Sequence, residues 1–256
     1  ILILHCDQLR YDALGCHGHP GNPTPHLDEL AQQGLDFSSH FVANPVCMPS
    51  RASFFTGLHV TSHGVWGNGV PLNRKETIPF GRSPFAAAND GPVCFPTLAD
   101  GLAEGGMSTA AFGKLHLTPS AATPAAEFPE SDEVWARPGR EDWHGPYYGF
   151  EHVELTHAHG ESPGGHYGLW LEREHPELAK EVAENWGQQE KPVPAVQDLY
   201  RSVLTDETHP SFWVARRAGD WIETQTEHPF FAFVGFPDPH HAFVPLEEDL
   251  RYFDGV

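Results

Sequence analysis

Three apolar runs, Ile1–His5, Met107–Phe112 and Phe230–Phe236, limit the architectures open to this chain. The last, FFAFVGF, is nearly unbroken, so it suits a central strand covered on both faces rather than one with a wet side. Each run stops at residues that can carry chemistry. Cys6-Asp7-Gln8 follows the first, Gly113-Lys114-Leu115-His116 the second and Pro237-Asp238-Pro239-His240-His241 the third. Buried strands that empty into polar loops predict an α/β fold. We expect a mixed, largely parallel central sheet with helices on both faces and a site outside the carboxyl ends of the strands.

Helices are legible between these runs. Thr24-Pro25 offers a cap and a first helical residue for a helix through Gln33, closed by Gly34. Phe95–Ala103 reads as a second helix, ended by Gly105-Gly106, and Pro210–Thr226 as a third with Trp213, Ala218, Trp221 and Ile222 on its buried side. Leu169–Trp186 has helical spacing but is broken by Pro176, which predicts two short helices. Leu35–Val42 reads as a further strand leading into Asn44-Pro45-Val46. Residues 117–208 show little regular punctuation and are expected to form a long surface excursion.

The stretch Cys47–Gly57, CMPSRASFFTG, places a cysteine two residues before a proline that suits a first helical turn. With Pro49 opening the helix, Cys47 would lie just outside the N-terminus, where unpaired N–H groups and the helix dipole favour an anion. Arg51, four residues on, can return to the same face and present its planar fork to a tetrahedral oxyanion. In C-x-x-x-R alone, a buried cysteine beside a surface arginine is an equally simple reading.

The full string C-x-P-S-R with Thr56-Gly57 resembles the signature of the sulfatases in the alkaline phosphatase-like superfamily. In that signature the cysteine is oxidised after translation to Cα-formylglycine. The resemblance extends in patches from Ile1 to about Pro245, and it implies roles for particular residues. Asp7 and Gln8 stand where the family has its first metal-binding block; many relatives carry two aspartates there, and Gln8 departs from that. The implied cation is Ca²⁺, with Mg²⁺ or Mn²⁺ as alternatives, since carboxylate and amide oxygens suit hard ions generally. Converted Cys47 would be both nucleophile and metal ligand, with Arg51 as its partner. Lys114 and His116 match the block G-K-x-H, His240 matches a Pro-His segment, and His241 is its less favoured neighbour for contact with substrate. Asn68 matches an Asn-Gly that follows the signature helix in phosphonate monoester hydrolase-like and choline-sulfatase-like proteins, where it would face the transferred group; His63 nearby reads equally well as a loop residue. His157 and His159, an i,i+2 pair in His-Ala-His-Gly, suggest a metal site only weakly.

The resemblance implies hydrolysis of a sulfate ester, with phosphonate monoester or phosphodiester hydrolysis as the alternative enzyme reading. A noncatalytic relative or an interaction fragment is the alternative outside catalysis. The implied partners are a small anionic sulfate ester and the formylglycine-generating enzyme, with a homo-oligomer left open. Residues 1–256 read as the N-terminal part of a sulfatase catalytic domain. The family completes its metal site with an Asp-His or Asp-Asn pair near the end of the core, and no such block stands before Val256, so 1–256 alone is expected to lack turnover.

Charge and cysteine usage bound the remaining choices. The chain carries 35 acidic and 15 basic residues, a formal charge of −20 with its 18 histidines neutral. That field repels nucleic acid and anionic membranes at long range, while a local cluster of cations can still bind a small anion. Four cysteines, Cys6, Cys16, Cys47 and Cys94, show neither zinc spacing nor a disulfide framework. No stretch has membrane-spanning length, so cytoplasm is the default expectation, with the periplasm or secretion to be expected if a signal peptide precedes Ile1.

Overall fold

The computed structural model describes residues 1–21, 23–74, 94–121, 128–161, 164–185, 191–192 and 195–253. Its organising unit is a sheet of β1 (Leu2–Cys6), β2 (Ser108–Gly113), β3 (His152–His157), β4 (Gly164–Gly165) and β5 (Phe230–Phe236), in the order β1-β5-β2-β3-β4. The pairs β1–β5, β5–β2 and β2–β3 are parallel; only the short β4 is antiparallel, against β3. The apolar run Phe230–Phe236 forms the strand between β1 and β2, with Ala232 in register with Leu2 on one side and Ala110 on the other. Both its faces are covered, as its unbroken hydrophobicity requires.

Odd and even positions of the strands feed two separate cores. On one face Phe231, Phe233, Ala111, Val153 and Leu155 pack with Met48, Ala52 and Phe55 of α2 (Cys47–Thr56) and with Ala99 of α4 (Leu98–Glu104). Phe55 meets Phe233 edge to face, their ring centroids 4.8 Å apart, a geometry that adds to simple burial. On the other face Ala110, Phe112 and Val234 pack with Tyr167 and Leu171 of α6 (His166–Glu174) and with Trp213, Val214 and Ala218 of α8 (Pro210–Thr224). A smaller cluster of Val182, Leu204 and Leu246 joins α7 (Pro176–Asn185) to the segment leading into α9 (Glu247–Phe253). The expected parallel sheet with helices on both faces is therefore present.

The first helix, α1, spans Pro25–Gln33 as its Thr-Pro start and Gly34 predict, and a four-residue α3 (Val60–His63) follows α2. Pro176 divides Leu169–Asn185 into α6 and α7, as expected. The second expected helix starts three residues later than Phe95, because Thr97 forms a capping box with Asp100. The third ends at Thr224 rather than Thr226.

Two expectations are corrected. Leu35–Val42 forms no strand; it pairs with no strand among the described residues, and Leu35, Phe37, Phe41 and Val42 stand exposed. The stretch 117–208 is not merely a surface excursion, since it supplies β3, α6, α7 and a short α5 (Asp132–Trp135), and its Phe150, Val153 and Leu155 are buried in the first core. Its strand was obscured because β3 reads HVELTH, mixing polar residues into the apolar pattern: Glu154 is buried against Arg217 of α8 and His157 against Asp132. Among the described residues no helix is long and apolar enough to cross a membrane.

Candidate active site

The carboxyl ends of four parallel strands converge on one cluster. Asp7 follows β1, Lys114 follows β2, His159 lies just past β3, and His240 follows β5. Asp7 is fixed by its own backbone, whose N–H donates to the carbonyls of Phe236 and Asp238. Lys114 is fixed likewise, its N–H donating to Gly235 O at 2.7 Å.

Cys47 enters from the helix side, and here the structure adjusts the expectation: Cys47 is the first residue of α2 and Val46 is the cap. The first turn closes through Ser50 N–H to Val46 O. Pro49 then falls at the third helical position, where its missing N–H is still one that would find no partner within the helix. Cys47 Sγ lies 3.9 Å from Asp7 Oδ1. Arg51, one turn on and 2% exposed, donates to Asp7 Oδ2 at 3.2 Å and to Lys114 O at 2.5 Å. Lys114 Nζ reaches the same Oδ2 at 2.5 Å.

The electrostatics follow from two cations sharing one carboxylate. Burial opposes ionisation of Asp7, but Arg51 and Lys114 outweigh it and hold the carboxyl well below its usual range. Burial pulls the Lys114 ammonium down, and Asp7 offsets this only partly, with Arg51 acting in the lowering direction. His116 is pushed well below its ordinary value by burial and then by Lys114 and Arg51, so it is neutral. Its Nδ1 is buried without a hydrogen-bond partner among the described residues. Gly113 ends β2 with φ +82 and His116 has φ +52, so the backbone turns at both ends of the segment that presents Lys114 and His116. Glu130, fully buried, holds that turn by accepting from the amides of His116, Leu117 and Thr118 and from the Tyr147 hydroxyl.

Not every predicted residue points into the cluster. Gln8 is exposed with φ +61, and its Oε1 meets His241 Nδ1 at 3.1 Å. His241 thus contacts the Gln8 side chain, while His240 is the member of the pair that stacks into the cluster. Asn68 Oδ1 accepts from the Met48 amide at 3.1 Å, tying its loop to the start of α2. His63 is buried between Ser53 Oγ and the Val65 amide, a packing role.

One residue the sequence underweighted is central. The rings of His159 and His240 stack face to face, 3.5 Å between centroids and 6° between planes. Both ring nitrogens of His159 lie 3.1–3.2 Å from Lys114 Nζ. Burial, then Lys114, pulls the His159 pKa down to about 3, so its neutral ring can accept from the ammonium. The i,i+2 pair His157/His159 was the available signal, and only β3, hidden by its polar residues, shows that the second histidine reaches the site.

Oxygen donors for a hard cation are present in part. Asp7, Cys47 and His240 offer ligand atoms within 4.8 Å of one another. Asp7 Oδ2 takes Arg51 and Lys114, leaving Oδ1 facing position 47. His116 Nδ1, buried without a partner among the described residues, is a further polar atom that a bound group could satisfy. Hard divalent cations take six or more oxygens, so water or further protein oxygens would complete the shell.

A buried acid shared by an arginine and a lysine, beside a cysteine at a helix start and near two stacked histidines, thus stands at the carboxyl ends of the parallel strands of an α/β scaffold. The sulfatase family model matches residues 1–255, and the chain belongs to that family. It is 37% identical over 117 residues to the steryl-sulfatase of Mus musculus, covering 45% of this chain and 17% of that protein. It is 26% identical over 265 residues to the N-acetylgalactosamine-6-sulfatase of Sus scrofa, covering 100% of this chain and 44% of that one. Among solved structures, the phosphonate monoester hydrolase of Agrobacterium radiobacter superposes with a TM-score of 0.65 at 27% identity, covering 98% of this chain and 43% of that one. The chain thus spans less than half the length of these relatives.

Proposed function

We propose that the protein containing this chain hydrolyses a sulfate ester to an alcohol and sulfate, with Cys47 converted to formylglycine as its nucleophile. The observation that supports this reading is the convergence of Cys47, Asp7, Arg51 and Lys114. Sγ stands where the converted residue would carry the oxygens of its hydrated aldehyde. Asp7 and the residue at 47 would contribute to holding a divalent cation, Ca²⁺ foremost, which when bound would polarise that hydroxyl; Gln8, exposed and turned to His241, does not join them.

The residues of the chain divide the remaining work. Arg51 and Lys114 face the sulfuryl oxygens and stabilise charge that grows on them. One hydroxyl at position 47 releases its proton to water and forms the bond to sulfur as the bond from sulfur to the ester oxygen breaks, and His240 in its protonated form gives that departing oxygen its proton. Neutral His116 then takes the proton of the second hydroxyl; the C=O bond reforms, the C–O bond to sulfate breaks, and water restores the diol. His159 holds the Lys114 ammonium and stacks the acid in place.

A second reading, hydrolysis of a phosphonate monoester, is supported by Gln8 and Asn68 and by the structural likeness to the Agrobacterium enzyme. The test is co-expression of the whole protein with the formylglycine-generating enzyme, peptide mass spectrometry at Cys47, and parallel assays on a sulfate ester and a phosphonate monoester. We expect loss of sulfur at Cys47 alone, preference for the sulfate ester and near-complete loss of turnover in Cys47→Ala. Full sulfatase activity with unmodified Cys47 would refute the mechanism, and preference for the phosphonate ester would select the second reading.

A further inference from the structure

A second group of metal-ligating side chains lies on the opposite face of the sheet, at the amino end of β3 rather than its carboxyl end. His152 and Glu154, two apart on one strand, project to the same side, and His144 from the preceding loop joins them; their ligand atoms all lie within 4.8 Å of one another. The His144 and His152 rings are parallel, 5.2 Å between centroids and 6° between planes.

Each ligand is already oriented. His144 is anchored by its backbone, whose carbonyl accepts from Val153 N–H at 2.9 Å, and by its Nδ1, 3.2 Å from Val153 O. With Nδ1–H donating to that carbonyl, Nε2 keeps its lone pair, the arrangement that ligating imidazoles share. Glu154 is 4% exposed, and its carboxylate is held by Arg217, Nε to Oε2 at 2.6 Å and Nη2 to Oε1 at 2.9 Å. His152 Nε2 is 3.1 Å from Oε1. That last contact is one a cation can replace: the ring proton moves to Nδ1 or to solvent, and Nε2 and Oε1 both turn to the metal while Oε2 stays on Arg217. Beside the group opens a cavity of about 580 Å³, lined by His144, Glu154, His166, Trp170, Arg217 and others. It leaves room for a water as a further ligand.

We propose that His144, His152 and Glu154 form a binding site for a borderline divalent metal, Zn²⁺ in the first place, separate from the Asp7–Cys47 cluster. Two imidazoles and one carboxylate are a donor set that Zn²⁺ accepts with a water in the fourth position, whereas Ca²⁺ and Mg²⁺ prefer oxygen alone. The metal would pin the His144 loop to the start of β3. The inference does not rest on the proposed hydrolysis.

The experiment uses the full chain carrying Cys47→Ala, which removes the thiol of the first cluster while Asp7 stays paired with Arg51 and Lys114, and Co²⁺ as the spectroscopic probe. One equivalent of Co²⁺ should produce visible ligand-field bands, and Zn²⁺ should displace it and raise the melting temperature. His152→Ala, at a half-buried position that tolerates truncation, should weaken binding at least tenfold, and the His144→Ala/His152→Ala pair should abolish the bands while far-UV dichroism stays unchanged. Glu154→Gln, which keeps the shape, should weaken binding with Arg217 still in place. No bands in the parent protein, or the same bands and affinity in His152→Ala, would overturn the site.

Discussion

Lys114 Nζ and Arg51 Nη2 share a single oxygen, Oδ2 of Asp7, at 2.5 and 3.2 Å, although none of the three residues is more than 7% exposed. The two cations are therefore buried on the strength of one carboxylate. Asp7→Asn leaves both without a counter-charge, and breaking a buried pair in this way costs about 3–5 kcal/mol. Loss of the Lys114 proton, which burial already favours, limits that cost. Lys114→Met leaves Asp7 paired with Arg51, so its cost should be smaller. Urea unfolding of the metal-free protein should rank the variants in that order; the reverse ranking would mean that Lys114, not Asp7, is the group that balances the cluster.

The backbone that delivers Lys114 passes very close to β5. A Cβ at Gly113 would meet Gly235 O at 2.1 Å, and one at Gly235 would meet Lys114 O at 2.2 Å; Gly113 also has φ +82. Gly235 O accepts from the Lys114 amide and Lys114 O from Arg51, so neither carbonyl can move without losing its bond, and Gly113→Ala and Gly235→Ala should each cost more than about 3 kcal/mol. Gly219 in α8 has nothing within 4 Å of its would-be Cβ. Gly219→Ala should be neutral or stabilising by up to about 1 kcal/mol, and thermal melts of the three variants check the contrast.

What could be read from the sequence was whatever local pattern determines. FFAFVGF had to be a covered strand, and Pro176 had to split its helix. The turns at Asp7, Cys47, Lys114 and His240 announced themselves because each interrupts an apolar run or opens a helix. Hidden were the features that depend on partners distant in sequence. β3 lacks an apolar pattern because Arg217 neutralises its Glu154 from α8, so the strand was not visible, and the His157/His159 pair could not be placed at its carboxyl end. Leu35–Val42 has strand-like composition, yet no neighbouring strand among the described residues offers it a pairing edge. Cys47 could be placed only to within one helical position, since Pro49 is tolerated anywhere in the first turn.

Glu130 stands behind the His116 turn without touching the cluster itself. Its carboxylate accepts from three consecutive amides and from Tyr147, and burial pushes its pKa up against those hydrogen bonds. An amide in its place turns an N–H₂ toward donors. Glu130→Gln should therefore lose about 2–4 kcal/mol of stability through unsatisfied buried groups. It should also let His116 leave its left-handed conformation, so in the active whole protein kcat should fall more than KM rises. Unchanged kcat in a variant of lowered stability would show that the turn holds without its carboxylate.

His166 gives the fold a defined response to acid. Its Nδ1 accepts from the Leu155 amide at 2.9 Å and its Nε2 lies 2.8 Å from Trp143 O, so the neutral ring with the proton on Nε2 satisfies both bonds. Protonating Nδ1 would set an N–H against an N–H. Burial first, and then neighbouring His144, lower the pKa from 6.5 to about 4, with Glu154 acting the other way and His152 adding to the lowering. Above pH 6.5 neither the folded nor the unfolded state carries the extra proton, and the group has no effect on the pH dependence. As pH falls through that value the unfolded chain takes up a proton that the folded protein refuses, so stability declines by about 1.4 kcal/mol per pH unit until the folded pKa is reached, then levels off. His166→Gln keeps an acceptor for the Leu155 amide but cannot titrate. His5 and His159 shift in the same direction and remain in both proteins, so they cancel in the difference. Urea unfolding of wild type and His166→Gln between pH 7.5 and pH 4.5 should give curves whose slopes against pH differ by about one proton below pH 6.5 and coincide above it. Parallel curves across the whole range would mean that His166 takes up its proton equally in both states.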